Sequence, residues 1–190
     1  MKTKHNYLLR FILPALVATL CWSFPSALIA DEESLAEATA VLGKEKSLSE
    51  GYVGLLETIG KGDPSSYAVC IRHYAIARSE FNGFIEGIKT HVIEDTPIHQ
   101  SESFQTSLDN AVDGRRSFTT CVDKFVDETE TTKSFKDYIS VASELVKLLL
   151  GAGIEIWKEF RSADSAQREA ILEQLNELKW ESFADLTSPG

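Results

Sequence analysis

The amino-acid sequence predicts an all-α fold, a four- to five-helix up-and-down bundle with one interhelical disulfide. Apolar residues recur at steps of three and four almost throughout residues 31–190, and alternating β-branched runs are few. Two cysteines, Cys70 and Cys121, fall on two successive helical stripes. Residues 31–190 read as a single helical domain, long enough to bury a hydrophobic core without staples.

Ahead of that domain, residues 1–30 read as a cleavable signal peptide. Lys2, Lys4 and Arg10 precede an apolar run over residues 11–22 that is too short and interrupted for a comfortable membrane span. Ala27-Leu28-Ile29-Ala30 then stands directly before Asp31-Glu32-Glu33, so cleavage is expected near Ala30. The expected destination is extracytoplasmic, periplasmic or secreted, with no stable membrane span after cleavage.

Export changes the charge and the cysteine arithmetic. The precursor carries a formal charge of −10, and losing the three basic residues of the leader, which has no acidic ones, takes it to about −13. Such a surface repels nucleic acid and anionic headgroups, both of which are bound through dense Lys and Arg contacts. A basic protein partner suits it better. Cys21 leaves with the leader, and Cys70 and Cys121 remain as a pair in an oxidising compartment, where a structural disulfide is expected.

The first helix is predicted over 34–59, carrying Leu35, Val41, Leu42, Leu48, Tyr52, Leu55, Leu56 and Ile59, with Gly43, Gly51 and Gly54 weakening its middle. Gly60-Lys61-Gly62-Asp63-Pro64 stops it and starts the next, with Asp63 as N-cap and Pro64 at the first helical position. The second helix, 64–94, has the clearest stripe: Tyr67, Cys70, Tyr74, Ala77, Phe81, Phe84, Ile88 and His91. It ends before Pro97, which disfavours helix in the preceding residue.

The third helix, 101–131, repeats the pattern with Phe104, Leu108, Ala111, Arg115, Phe118, Val122 and Phe125. A short loop between these two helices implies antiparallel neighbours. With the turn centred near Pro97 and Ile98, Cys70 lies about 27 residues before it and Cys121 about 23 after. The mismatch of about 6 Å is small enough for a stagger to absorb, so the bridge would close the open end of a helical hairpin.

A fourth helix is predicted over 134–161, its apolar centre interrupted by Glu144, Lys147 and Glu155, which argues for burial against other helices rather than a membrane span. Gly151 and Gly153 allow a kink or the close approach of a neighbour. The last helix, 165–180, follows the turn and cap Ser162-Ala163-Asp164 and turns Ile171, Leu172, Leu175, Leu178 and Trp180 inward, leaving a short polar tail.

Catalytic and cofactor patterns are absent from the sequence. It has no Glu-x-x-His for a carboxylate-bridged dinuclear site, no Cys-x-x-Cys-His for covalent haem, no Gly-x-Ser-x-Gly and no phosphate-binding glycine loop. The nearest metal-like grouping is His91 and Glu94 with Asp95 and His99 in the following loop, which reads better as a polar helix end. No cofactor is expected.

Arg115 is the odd position, a cation on an apolar stripe. Either its stem lies along the core edge with the head in water, or it forms a buried ion pair, for which Glu80 on the opposing helix is the candidate. Trp157 and Trp180 read as packing anchors that become interface candidates if exposed. The leading functional expectation is a non-enzymatic interaction module acting on another extracytoplasmic protein as inhibitor, immunity factor or chaperone. The alternative is a small apolar-ligand carrier whose pocket is lined by Phe81, Phe84, Phe118, Phe125 or Trp157. A third is an enzyme whose site the sequence hides. A filled core with an exposed apolar patch favours the module, and an unfilled core cavity favours the carrier.

Overall fold

The computed structural model describes residues 27–60, 64–124 and 142–187. These are mostly helical, with six α-helices, one 3-10 turn and no strand among the described residues: α1 (Ala27–Gly60), α2 (Pro64–Ile93), the turn Ile98–Gln100, α3 (Glu102–Asp123), α4 (Ala142–Ser162), α5 (Ser165–Glu177) and α6 (Phe183–Thr187). The chain divides into two units, Met1–Glu33 and Ser34–Gly190. Of the first, only the opening turns of α1 are described, and the structure below is that of the second. Residues 1–26 of the expected leader and the expected N-cap Asp63 lie outside the described residues, and residues 27–30 fall within α1.

The hairpin of α2 and α3 organises this unit. Cys70 faces Cys121 with Cα atoms 5.5 Å apart and the sulfurs at disulfide distance, 2.07 Å. Farther along, Gly114 meets the Ala77 backbone and Gly87 meets the Phe104 ring, so the two helices run antiparallel in constant register. That register centres the turn on Asp95 and Thr96 rather than on Pro97 and Ile98, and the stagger expected at the cysteines disappears.

The turn itself explains the shift. Asp95 takes the left-handed conformation, φ 51°, and the Thr96 amide donates back to the His91 carbonyl at 3.0 Å, a Schellman-type closure with aspartate where glycine is usual. The Thr96 hydroxyl also pairs with His91 Nδ1 at 2.6 Å. Ser101 then caps α3, its hydroxyl accepting from the Phe104 amide at 3.1 Å.

Gly114 is required by this close packing, because a Cβ there would stand 3.1 Å from Ala77 Cα. Gly153 does the same for α4, whose backbone lies against Phe104 and Ile88, whereas Gly151 faces open space. A chain of ring contacts fills the interior, from Tyr52 through Phe118, Tyr74, Trp180, Phe81 and Phe84 to Phe104, with successive centroids 4.8–6.1 Å apart. α3 closes at Asp123 with Lys124 as C-cap, and the rest of the span expected for it, with Phe125, lies outside the described residues.

The C-terminal region departs most from the periodicity. α5 begins at a capping box between Asp164 and Gln167 but stops at Glu177, so Trp180 lies beyond it rather than on its last turn. The Trp180 backbone is clamped by α2: the Asn82 amide donates to its carbonyl at 3.1 Å, its amide donates to Asn82 Oδ1 at 2.8 Å, and Arg78 Nε donates to the same carbonyl at 3.0 Å. Tyr74 donates to the next carbonyl, that of Glu181, at 2.9 Å. The indole, 1% exposed, stacks on Tyr74 and Phe81 as a plug in the core.

Candidate functional site

The antiparallel register sets the start of α2 beside the end of α3, and between them opens a groove of about 490 Å³. Ser65, Ser66, Val69 and His73 line it from α2, and Arg116, Ser117, Thr120 and Cys121 from α3, with Lys124 at the helix end. Both sets recur at steps of three and four, so each helix presents one face. Cys70 is fully buried beneath, while Cys121 reaches the groove. Three further grooves among the described residues have volumes of about 210 to 330 Å³.

Among the described residues the lining has a definite chemical character: one valine, four hydroxyls, one cysteine, three basic side chains and no carboxylate. Val69 is 48% exposed and Ile76, two turns further along α2, is 49% exposed, large apolar side chains facing water at the groove and along its approach. Among the described lysines and arginines, only Arg72, Lys124 and Lys147 carry no partner. Lys124 lies in this groove and Arg72 adjoins His73 on the exposed side of α2. Arg116 is tied to Asp113, one turn back, at 3.1 Å, with both side chains mostly exposed. No hydrogen bond joins His73 to a lining hydroxyl. The surface is therefore built to donate hydrogen bonds and present positive charge.

Arg115, the residue before, has the opposite environment. Its Nε stands 2.7 Å from Glu45 Oε2, with the side chains 6% and 1% exposed. Its second contact, from Nη2 to Glu45 Oε1, is a long 3.5 Å. The buried-pair expectation therefore needs correcting in its partner: the carboxylate comes from α1 and is Glu45, not Glu80. Glu80 is half-buried, with its Cβ facing Gly114. Ser49 and Thr119 complete a buried polar strip between α1 and α3. Burial holds the neighbouring Tyr52 phenol well above its ordinary pKa, with Asp123 pushing the same way and Arg115 opposing.

Glu45 was legible in principle. Ala38, Leu42, Glu45, Ser49, Tyr52, Val53 and Leu56 are the buried positions of α1 over residues 34–56, and Glu45 and Ser49 occupy places in an otherwise apolar stripe. Its flanking lysines, Lys44 and Lys46, disguise it as part of a solvated charge cluster.

Of the expected pocket or interface residues, Phe81, Phe84, Phe118 and Trp180 lie in the closed core and present no surface to a partner. Trp157 is half-buried and carries the Arg161 guanidinium over its ring at 4.9 Å. The polar helix end at His91 is occupied by local contacts, with Thr96 on His91 and Arg161 on Asp95 at 2.8 Å. Among the described residues no group of three His, Cys, Asp or Glu is placed to hold a metal ion, and no helix is long and apolar enough to cross a membrane. No protein-family model, curated protein or solved structure matches this chain.

Proposed function

We propose that this chain is an exported, non-enzymatic protein-interaction module that engages another extracytoplasmic protein through the groove between α2 and α3. The observation that carries the reading is a contrast on one hairpin: its inner face is filled by rings in mutual contact, while Val69 and Ile76 remain exposed on its outer face around an open groove. The carrier reading has less support, because the rings expected to line its pocket pack on one another. A cysteine pair at disulfide distance is compatible with an extracytoplasmic location.

The up-and-down arrangement belongs to the same proposal. It is supported by the order of contacts: Glu45 and Tyr52 of α1 meet Arg115 and Phe118 of α3, and Ser34 meets Glu155 of α4. Gly153 of α4 lies at Ile88, and Arg161 lies at Asp95.

The test places a photocrosslinking amino acid at Val69, at Ile76 and, as a control, at exposed Glu173 of α5, in the protein expressed in its own host. The reading expects one discrete protein adduct from Val69 and Ile76 and none from Glu173. Absence of any adduct at both Val69 and Ile76 sinks it, and a stoichiometric small molecule in the native mass spectrum supports the carrier instead. The denatured mass, taken with and without reductant, checks cleavage near Ala30 and the bridge.

A further inference from the structure

We propose that the groove binds an acidic peptide segment of the partner, whose carboxylates meet Arg116 and Lys124 and whose apolar side chain covers Val69. This rests on the interaction reading above and names the chemistry of its partner, reversing the basic partner expected from overall charge.

The reversal follows from scale. The chain is acidic as a whole, with 29 Asp and Glu against 19 Lys and Arg. Charges separated by more than about 8 Å are largely screened at physiological ionic strength, so a docked segment responds to the side chains lining its seat. Among the described residues the charged ones are Arg116 and Lys124, beside His73, with no carboxylate in the lining. Asp113 is outside the lining and holds Arg116 only through an exposed one-turn pair, which a better-placed carboxylate can replace. Asp123 is half-buried and already engaged, and its charge acts on the Tyr52 hydroxyl.

A basic segment laid here would set its cations against Arg116 and Lys124, with no carboxylate among the described lining residues to receive them. A free anion would satisfy the cations but leave Val69 and Ile76 in water. An extended or helical acidic segment with an apolar residue satisfies both, and the hydroxyls of Ser117 and Thr120 supply further donors to carboxylate oxygens.

A random peptide library is displayed on phage and selected against the oxidised protein, and binders are compared on the native chain and on Arg116→Gln/Lys124→Gln, both exposed positions. Expected are sequences rich in Asp and Glu around an apolar residue. Their affinity should fall about tenfold in the double variant, fall again with added salt, and shift backbone amide resonances around the groove. Val69→Ser should weaken them as well. Basic or neutral consensus sequences, affinity unchanged by the double variant, shifts mapping elsewhere, or no binders at all would overturn the proposal. So would inorganic phosphate saturating the same amides with Val69→Ser without effect, which assigns the groove to a free anion. Crosslinks at Val69 and Ile76 alongside a basic consensus would sink this inference and leave the interaction module standing. Loss of both results removes both readings.

Discussion

Arg115 and Arg116 are neighbours in sequence and opposites in environment. One residue along α3 turns the side chain by about 100°, enough to carry it from the α1 interface to the α2 groove. Arg115 is 5% exposed and held by a carboxylate seventy residues away in sequence, whereas the Arg116 side chain is 57% exposed and held by its own helix. The difference teaches how one residue type divides into two roles. A buried cation makes its partner obligatory, since an uncompensated charge cannot stay in the interior. An exposed cation in a weak local pair remains available to something outside.

The strongest way to break the comparison is to remove the partner of Arg115. Glu45→Ala leaves a buried guanidinium without its carboxylate and is expected to cost about 3–5 kcal/mol in urea unfolding. Glu45→Leu/Arg115→Met, which replaces the pair by apolar groups of similar size, is expected to unfold within about 1 kcal/mol of the native protein. A small loss from Glu45→Ala alone would mean that water or another group already shares the charge.

Reducing the bridge comes next. Cys70 and Cys121 are separated by 51 positions, for which the chain-entropy account gives a stabilisation of at most about 4 kcal/mol. The midpoint of urea unfolding should fall on reduction, and Cys70→Ala/Cys121→Ala should reproduce the fall. Gly114→Ala, one residue before Arg115 and packed on Ala77, tests the hairpin directly. Its Cβ would meet backbone, not a flexible side chain, at 3.1 Å, so a loss of about 1–3 kcal/mol is expected despite the better helix propensity of alanine.

Tyr52 sharpens the same contrast through pH. Its phenol is held above the ordinary value, so the folded state keeps a proton that the unfolded chain releases near pH 10. That contribution is complete below about pH 10 and is lost as pH rises toward the folded value, so alkaline unfolding should begin above it. Tyr52→Phe should make the alkaline limb of the stability profile shallower, with the buried Tyr74 phenol, also held above its ordinary value, supplying the rest, read by circular dichroism against phenolate absorbance.

The helical class was legible because period and burial coincide on the hairpin. The expected stripe of α2, Cys70, Tyr74, Ala77, Phe81, Phe84 and Ile88, is its buried face, and Phe104, Leu108, Ala111, Phe118 and Val122 do the same on α3. The stripe ends on Val92 rather than His91, because the Schellman-type turn engages His91 with Thr96. Register across helices was not legible. Glu45 and Glu80 both lie within reach of Arg115 on paper, and only the packing of α1 separates them. The clamp on Trp180 was hidden for another reason: the Asn82 and Arg78 side chains bind its backbone groups, which carry no residue identity to read. The groove escaped because its members are ordinary polar residues that become a set only when two antiparallel helices bring them together.

The smallest expected effect decides whether the comparison holds. Arg116→Gln breaks a one-turn pair whose side chains are 57% and 71% exposed, so the cost to stability should stay below about 0.5 kcal/mol. Its effect on acidic-peptide affinity should be plain at the same time, because the lost charge is replaced by a neutral donor that offers carboxylate a weaker contact. A stability loss above about 1 kcal/mol would show that Arg116 supports the fold in the way Arg115 does. Equal affinity with equal stability would leave Arg116 as a solvated charge with no part in the groove.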